Sequence, residues 1–250
     1  MALHPFLEHS GILAFAHRGD SQAAPENTMA AFSSAHALGF SYFETDVHLS
    51  QDGVLLAFHD HKLDRVTNSR GVVAQLDYAT IAQARVGGSE RIPLLAELLE
   101  EFPDTRINIE PKSDAAVQPL VKLIKSTNAV QRVCFGSFHS RRTKQIRATL
   151  PHACTSMGPL ETLRTRLASW GAPAATVKAQ CAQVPTNHFG VPIADTRFIQ
   201  YLLNLGLQTH IWTVNHAPEM HSLLDAGASG LMTDNPALLK SVLQSRGQWA

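Results

Sequence analysis

Short apolar runs alternate along the chain with amphipathic stretches. Eight runs are apolar or β-branched and are followed by polar or turn residues, which is typical of buried strands. These predicted strands are 12–16, 42–47, 106–110, 132–136, 153–157, 179–184, 208–214 and 230–233. Between them, apolar residues recur at helical spacing. The predicted helices are 28–38, 94–102, 115–127, 140–149, 196–205, 218–226 and 236–244.

A ninth apolar run, 54–58, follows the second strand through Asp52-Gly53, which is a strong hairpin signal and makes this run antiparallel. Eight remaining strands that alternate with helices predict a parallel sheet, and in 250 residues they predict an α/β fold of the (β/α)8 TIM-barrel type. We expect one domain over 1–250, with a hairpin and short excursion over about 48–105 between the second and third barrel strands. An open doubly wound sheet is the alternative, but no GxGxxG turn follows the first strand.

The composition excludes several classes of protein. Charged residues make up only 17% and hydrophobic residues 44%, which favours a packed core over disorder. Lys+Arg and Asp+Glu both number 21, so no overall field favours nucleic acid or an anionic membrane. The run 12–16 is too short for a signal core or a membrane span. We therefore expect a soluble, cytoplasmic protein with no stable membrane anchor, and the sequence assigns no oligomeric state.

Three cysteines, Cys134, Cys154 and Cys181, stand far apart and form no CxxC motif. The odd count argues against a disulfide framework, and the spacing argues against a thiolate zinc knuckle. We therefore expect buried, reduced thiols.

Active sites of TIM barrels lie at the carboxyl ends of the strands. Glu44 and Asp46 are two residues apart on one predicted strand, so both point to the same face, where they repel each other unless a cation lies between them. Glu110 closes another predicted strand and completes an all-oxygen set, which suits Mg²⁺, Ca²⁺ or Mn²⁺ better than zinc. Pairing of these carboxylates with Arg or Lys is the alternative, and the third carboxylate favours the metal site.

Two histidines, His17 and His59, also close strands. Imidazole titrates near neutral pH, so both are candidates for proton transfer. Asp60 either orients His59 or caps the following turn. His61 is interpreted as a surface residue.

Two cations and one aromatic residue are candidates for substrate binding. Arg18 and Lys112 supply fixed positive charge of the kind that binds phosphate, although they would also balance the carboxylates without a substrate. Trp212 offers an apolar wall to a substrate, with a purely structural role as the alternative.

Two further motifs are interpreted as structural. Asn27 or Thr28 is the expected N-cap of the first helix. Thr233-Asp234 is expected to end the last strand and begin the last helix.

An ordered set of motifs resembles the glycerophosphodiester phosphodiesterase family over about 14–239. The motifs are His17-Arg18-Gly19, Pro25-Glu26-Asn27-Thr28, Glu44-Thr45-Asp46, His59-Asp60, Leu63-x-Arg65, Glu110-Pro111-Lys112, Trp212-Thr213-Val214-Asn215 and Thr233-Asp234-x-Pro236. The departures from the family pattern, such as Ser50 and Ala228-Ser229, touch none of the candidate residues.

The resemblance implies a TIM barrel that hydrolyses a small-molecule glycerophosphodiester to sn-glycerol 3-phosphate and an alcohol. It also implies a divalent cation on Glu44, Asp46 and Glu110, with His17 and His59 as the acid/base pair. Arg18 and Lys112 would contact the phosphate. The nucleophile is either water or the glycerol 2-hydroxyl, which would give a cyclic phosphate.

Three other functions remain open at this point. A lysophospholipase D-like enzyme would need an apolar rim, for which the candidates are Phe138, Phe189, Ile193 and Trp212. A module that only binds phosphorylated ligands would be expected to lack a metal carboxylate or a histidine, and none is missing. A sugar-phosphate isomerase or aldolase shares the fold, but the histidine pair fits phosphodiester cleavage better.

Overall fold

The computed structural model describes residues 3–173, 176–188 and 190–249. In this part of the chain, short strands alternate with helices as the hydrophobic pattern predicts. The strands are β1 (Leu13–His17), β2 (Tyr42–Leu49), β3 (Leu55–Ala57), β4 (Arg106–Pro111), β5 (Val133–Phe135), β6 (Cys154–Thr155), β7 (Cys181–Pro185), β8 (Asn187–His188), β9 (Val191–Pro192), β10 (Gln208–Trp212) and β11 (Gly230–Thr233).

Eight of these strands form a parallel sheet in the order β6-β5-β4-β2-β1-β11-β10-β7. A parallel bridge between Ser156 and Cys181 joins the two ends of this order. The sheet is therefore a nearly closed barrel, and the TIM-barrel prediction is confirmed. Strand β3 pairs antiparallel with β2, with Val47 opposite Ala57, which confirms the predicted hairpin.

The helices lie between the strands, and most of them bury an apolar side against the barrel. They are α1 (Met29–Ala37), α2 (Tyr78–Ile81), α3 (Leu95–Glu101), α4 (Asp114–Ser126), α5 (Ser140–Thr149), α6 (Pro159–Ser169), α7 (Thr196–Asn204), α8 (Ala217–Asp225) and α9 (Pro236–Ser245). Thr28 is the N-cap of α1, because its hydroxyl accepts a hydrogen bond from the Ala31 amide. No helix among the described residues is long and apolar enough to cross a membrane.

Helix α6 and the short hairpin β8–β9 are absent from the sequence prediction. The leucines of α6 recur at helical spacing, but Leu160 and Leu163 are each 54% exposed. The side chains that α6 buries are Thr165, Arg166 and Ala168. Its buried face is therefore more polar than its exposed face, which is the reverse of the usual pattern.

The interior of the barrel is sealed at the amino ends of the strands. A 3-10 helix, Pro5–Leu7, inserts Phe6 and Leu7, both fully buried, against Phe15 and Tyr42. The Tyr42 hydroxyl donates a 2.9 Å hydrogen bond to the Phe6 carbonyl. This plug leaves the carboxyl ends of the strands as the open mouth of the barrel.

The excursion after β3 has its own small core. Leu56, Phe58, Leu63, Val73 and Ile81 are buried together there. This packing holds the loop over one side of the mouth, where it carries the residues that follow β3.

Candidate active site

His17 closes β1 and is held from the opposite end of the chain. Its Nδ1 lies 2.6 Å from Oδ1 of Asp234, and its Nε2 lies 3.6 Å from Oε2 of Glu44. Asp234 is fixed in turn by the Asn215 amide, which donates to its Oδ2 at 2.7 Å. Burial alone lowers the pKa of His17, but the Glu44 charge and the Asp234 hydrogen bond outweigh it and raise the pKa above its usual value.

His59 follows the hairpin strand and has a matching carboxylate partner. The Phe58 amide donates to the Asp46 carbonyl at 2.9 Å, which sets this segment beside β2. His59 Nδ1 lies 2.6 Å from Asp60 Oδ1, and Arg65 Nε donates to Asp60 Oδ2 at 2.6 Å. The Arg65 hydrogen bond holds the pKa of Asp60 well below its usual range. Of the two roles considered for Asp60, the geometry therefore supports orientation of His59.

Asp46 points into the barrel and is neutralised from two sides. Its Oδ1 lies 2.8 Å from Lys112 Nζ and its Oδ2 lies 3.2 Å from Arg18 Nε. Asn27 Nδ2 donates to the same Oδ2 at 3.4 Å. Burial alone raises the pKa of Asp46, but the charges of Lys112 and Arg18 outweigh it and lower the pKa. For this carboxylate, the alternative of pairing with Arg and Lys is present.

Glu44 differs from Asp46 although it lies two residues away on the same face. It is only 6% exposed, and its Oε2 is buried without a hydrogen-bond partner. Burial and the adjacent Asp46 charge raise the pKa of Glu44 to about 8. An unpartnered buried carboxylate oxygen is costly, and a cation at this position would relieve the cost.

Lys112 forms ion pairs with both Asp46 and Glu110. Its Nζ lies 2.8 Å from Asp46 and 3.0 Å from Oε2 of Glu110. Burial lowers the pKa of Lys112, but Asp46 and Glu110 outweigh it and raise the pKa. The structure therefore brings Glu44, Asp46 and Glu110 to one mouth, but they do not form a group with ligand atoms mutually within 4.8 Å among the described residues.

Three carboxylates and two basic side chains in this cluster leave one negative charge in excess when all are ionised. The donor chemistry of Glu44, Asp46 and Glu110 fits a hard divalent cation, and Oε2 of Glu44 accepts no hydrogen bond, although His17 Nε2 lies 3.6 Å away. A bound divalent cation would change the excess to one positive charge, which matches the single negative charge of a phosphodiester.

Arg18 reaches the mouth through an unusual backbone conformation. Its φ is 58° and that of Gly19 is 82°. A Cβ at position 19 would lie 2.7 Å from the Ala31 carbonyl carbon, so this turn requires glycine. The turn directs the Arg18 guanidinium to Glu26, at 3.0 Å, as well as to Asp46.

Trp212 ends β10 at the same mouth. Its ring packs edge-to-face on Phe138 with centroids 5.5 Å apart, and Phe138 is 58% exposed. The pair forms an apolar edge beside the charged cluster. A substrate-facing role for Trp212 stays a prediction.

Two site residues were interpreted as structural from the sequence. Asp234 orients His17, and Asn27 binds Asp46 and accepts a hydrogen bond from Thr45. Both residues lie inside the motifs that carry the family resemblance. These motifs are the signal from which a role at the site could have been predicted. His61 is exposed, as expected.

Solved structures support the fold. The structure superimposes on a protein of the glycerophosphoryl diester phosphodiesterase family from Silicibacter pomeroyi with a TM-score of 0.84, 21% identity and 100% coverage of both chains. It is also similar to an Oleispira antarctica phosphodiesterase in complex with the product sn-glycerol-3-phosphate. The TM-score is 0.78 and the identity 22%, and the match covers 94% of this chain and 97% of the other.

Curated relatives cover most of the chain. "Probable glycerophosphodiester phosphodiesterase 2" of Mycobacterium tuberculosis is 37% identical over 98% of this chain and 95% of its own length. The glycerophosphodiester phosphodiesterase of Caldanaerobacter subterraneus is 30% identical over 94% of this chain and 99% of its own length. Lysophospholipase D GDPD1 of Rattus norvegicus is 27% identical over 92% of this chain and 85% of its own length.

The model of the glycerophosphoryl diester phosphodiesterase family matches residues 17–238, which run from the first candidate histidine to the last helix. With the barrel and the relatives above, this match shows that the chain belongs to the glycerophosphoryl diester phosphodiesterase family of hydrolases.

Proposed function

We propose that this protein hydrolyses glycerophosphodiesters to sn-glycerol 3-phosphate and an alcohol. The observation that carries the proposal is the pair of histidines at one mouth, each with Nδ1 2.6 Å from a carboxylate. A carboxylate on Nδ1 fixes the ring and leaves Nε2 for proton transfer. Two imidazoles arranged in this way supply the acid and the base that cleavage of a phosphodiester needs.

A divalent cation is the proposed cofactor, with Glu44, Asp46 and Glu110 as its ligands. When bound, it would supply charge neutralisation at the phosphoryl oxygens. The unpartnered Oε2 of Glu44 supports this assignment, and oxygen ligands favour Mg²⁺ or Ca²⁺, with Mn²⁺ as a further alternative.

The histidines divide the proton transfers between them. One removes a proton from the nucleophile, and the other donates a proton to the departing alkoxide. His17 is held by Asp234 and His59 by Asp60, so neither ring must reorient as the reaction proceeds. The nucleophile is water or the glycerol 2-hydroxyl, and full turnover of an analogue without that hydroxyl would exclude the cyclic route.

Arg18 and Lys112 are the proposed phosphate ligands. An ammonium has three donors, and Lys112 uses two of them on Asp46 and Glu110. A guanidinium has five N–H donors, so Arg18 retains donors beyond those aimed at Glu26 and Asp46. Both cations are thus fixed by carboxylates and still able to bind the phosphate oxygens.

The relatives support this substrate class. Two of them carry the name glycerophosphodiester phosphodiesterase, and the structure of the Oleispira antarctica enzyme holds sn-glycerol-3-phosphate. The absence of an overall basic field also supports a small-molecule substrate over nucleic acid. We retain the cytoplasm as the proposed location on the sequence argument alone.

A lysophospholipase D-like activity is the second candidate. The exposed Phe138 and its contact with Trp212 favour it, because they offer an acyl chain an apolar edge beside the mouth. Ile193 is partly buried against the main core, and Phe189 lies outside the described residues. The name of the rat relative supports the same candidate.

Metal add-back separates these candidates. Chelator-treated protein is incubated with glycerophosphocholine and with lysophosphatidylcholine micelles, and Mg²⁺, Ca²⁺ or Mn²⁺ is restored in turn. Glycerol 3-phosphate is measured with a coupled dehydrogenase, and choline is measured for both substrates. We expect metal-dependent glycerol 3-phosphate from glycerophosphocholine. Turnover of the micelles alone would replace the first candidate with the second, and no turnover by folded protein with any metal would contradict both.

A further inference from the structure

The three cysteines, which the sequence keeps far apart, meet inside the barrel. Cys134 lies on β5, Cys154 on β6 and Cys181 on β7, three consecutive elements of the barrel wall, and all three thiols are fully buried. Their sulfur atoms lie within 4.8 Å of one another, and those of Cys134 and Cys181 are 3.8 Å apart. All three are free thiols, in agreement with the odd number of cysteines in the sequence. We call this group the thiol cluster.

The spacing of the thiol cluster matches the dimensions of a thiolate metal site. Sulfurs around a tetrahedral zinc ion with Zn–S bonds of about 2.3 Å are about 3.8 Å apart. For three atoms within 4.8 Å of one another, some point lies within about 2.8 Å of all of them. Small movements of the side chains would therefore bring all three sulfurs to bonding distance from one ion.

A buried imidazole beside the thiol cluster provides a second, independent observation. His210 on β10 is fully buried against the ring of Phe15, which belongs to the same buried cluster as the three cysteines, and its Nδ1 has no hydrogen-bond partner. Its other ring nitrogen, Nε2, lies 3.3 Å from Oε1 of Gln208. A histidine with one nitrogen held by an acceptor and the other free is the arrangement found at metal ligands.

The surroundings also suit a thiolate. Gln183 Nε2 donates to Cys134 Sγ at 4.0 Å and to Asn108 at 2.9 Å. A hydrogen-bond donor that would stabilise negative charge on sulfur is therefore already present at Cys134.

We propose that the thiol cluster binds one Zn²⁺ ion with a structural role. His210 lies outside the group of mutually close ligand atoms, so it would complete the set as the fourth ligand only after its ring moves toward the sulfurs. Three S–H bonds break, three Zn–S bonds form, and three protons leave to solvent, so the site carries one net negative charge. A closed set of Cys₃His ligands is typical of structural zinc. Because the cluster is sealed beneath the mouth, loading is expected during folding.

This site is chemically distinct from the mouth. Thiolate and imidazole ligands select zinc, whereas the carboxylates at the mouth select Mg²⁺, Ca²⁺ or Mn²⁺. The proposal therefore holds or fails independently of the proposed phosphodiesterase activity.

The test measures metal in the full chain. Protein from cells grown with added zinc is dialysed against EDTA, which strips the open mouth, and zinc is counted by plasma mass spectrometry. We expect about one zinc per chain. Protein unfolded in guanidine and refolded with Co²⁺ is expected to show a thiolate-to-cobalt charge-transfer absorption, which carboxylates do not give.

Substitutions in the thiol cluster test whether its cysteines are the residues that bind the ion. Cys134→Ser and Cys181→Ser are expected to lose most of the zinc and the cobalt band, while Met232→Leu, a control in the same buried cluster, keeps both. Zinc that is absent from the wild type even after refolding in Zn²⁺ would overturn the proposal. So would equal zinc in folded serine variants, or a Cys134–Cys181 disulfide in the purified wild type. The wild-type measurements decide the matter if a serine variant fails to fold.

Discussion

The interior of the barrel has two layers with opposite chemistry. At the mouth, His17, Asp46 and Lys112 are charged or polar and are held by partners at or just beyond the ends of other strands. Beneath them, Phe15 and Tyr42 pack with the thiol cluster and exclude water. Both layers come from inward-facing positions on the same strands, since side chains alternate along β structure.

Because the two layers differ in this way, the turnover rate and the stability of the protein should depend on different residues. Buried charge at the mouth costs free energy; Asp46 and Lys112 are paired, whereas Glu44 keeps an oxygen without a hydrogen bond, and this combination is typical of a functional site. Among the described residues, the aromatic rings and plug residues of the lower layer form no hydrogen bond or ion pair with the two histidines, although Trp212 packs against their cluster. Changes at the mouth should therefore affect turnover, and changes in the lower layer should affect the free energy of unfolding.

The largest stability effect is expected from the plug. Phe6→Ala removes a fully buried ring that packs edge-to-face on Tyr42, and large-to-small core substitutions of this kind cost about 3–5 kcal/mol. Urea unfolding should show this loss. The kcat of the folded variant should remain close to wild type, and a large fall in kcat would contradict the separation of the layers.

The opposite behaviour is expected at the mouth. Asp234→Asn removes the carboxylate that holds His17, and misplacement of a catalytic ring costs about 10²-fold in kcat. Because Asp234 raises the pKa of His17, the pH-rate limb that reports this histidine should move to lower pH. Unfolding in urea should change little.

A surface carboxylate provides the control for this variant. Asp225 pairs with Arg246, and its side chain is 68% exposed. Asp225→Asn should leave both kcat and the pH profile unchanged. An Asp234→Asn variant that behaves like Asp225→Asn would show that Asp234 does not position His17.

The smallest effect is expected from a single hydrogen bond in the lower layer. Tyr42→Phe leaves the Phe6 carbonyl without its donor and should lower the free energy of unfolding by about 1–3 kcal/mol, with kcat unchanged. Tyr201→Phe on α7, a partly buried position outside the barrel interior, serves as the matched control in the same urea experiment. Equal stability of the two variants would contradict a role for the plug hydrogen bond.

The strands and the mouth were predictable because each depends on local patterns. Apolar runs define the strands, and the residues that close them, such as His17 and Glu110, follow from the carboxyl-end rule for barrels. Asp52-Gly53 predicts the hairpin by itself. The family motifs then supply the order in which these positions occur.

Features that depend on long-range contacts were not predictable. Asp234 is 217 residues from His17, and only the closing of the barrel brings the two together. The three cysteines meet because consecutive strands bring them together, not because of their spacing. Helix α6 was not predicted although its leucines recur at helical spacing, and only the structure shows that these leucines face solvent instead of the core.

The central claim is that the two histidines at the mouth carry out the proton transfers. Glycerol 3-phosphate release from glycerophosphocholine is measured for the wild type, His17→Ala and His59→Ala at saturating divalent cation. His61→Ala, which alters an exposed histidine two residues from His59, is the control. Loss of either imidazole should lower kcat by about 10²–10⁴-fold, while the control turns over like the wild type. Near-normal turnover by folded His17→Ala and His59→Ala would contradict the account.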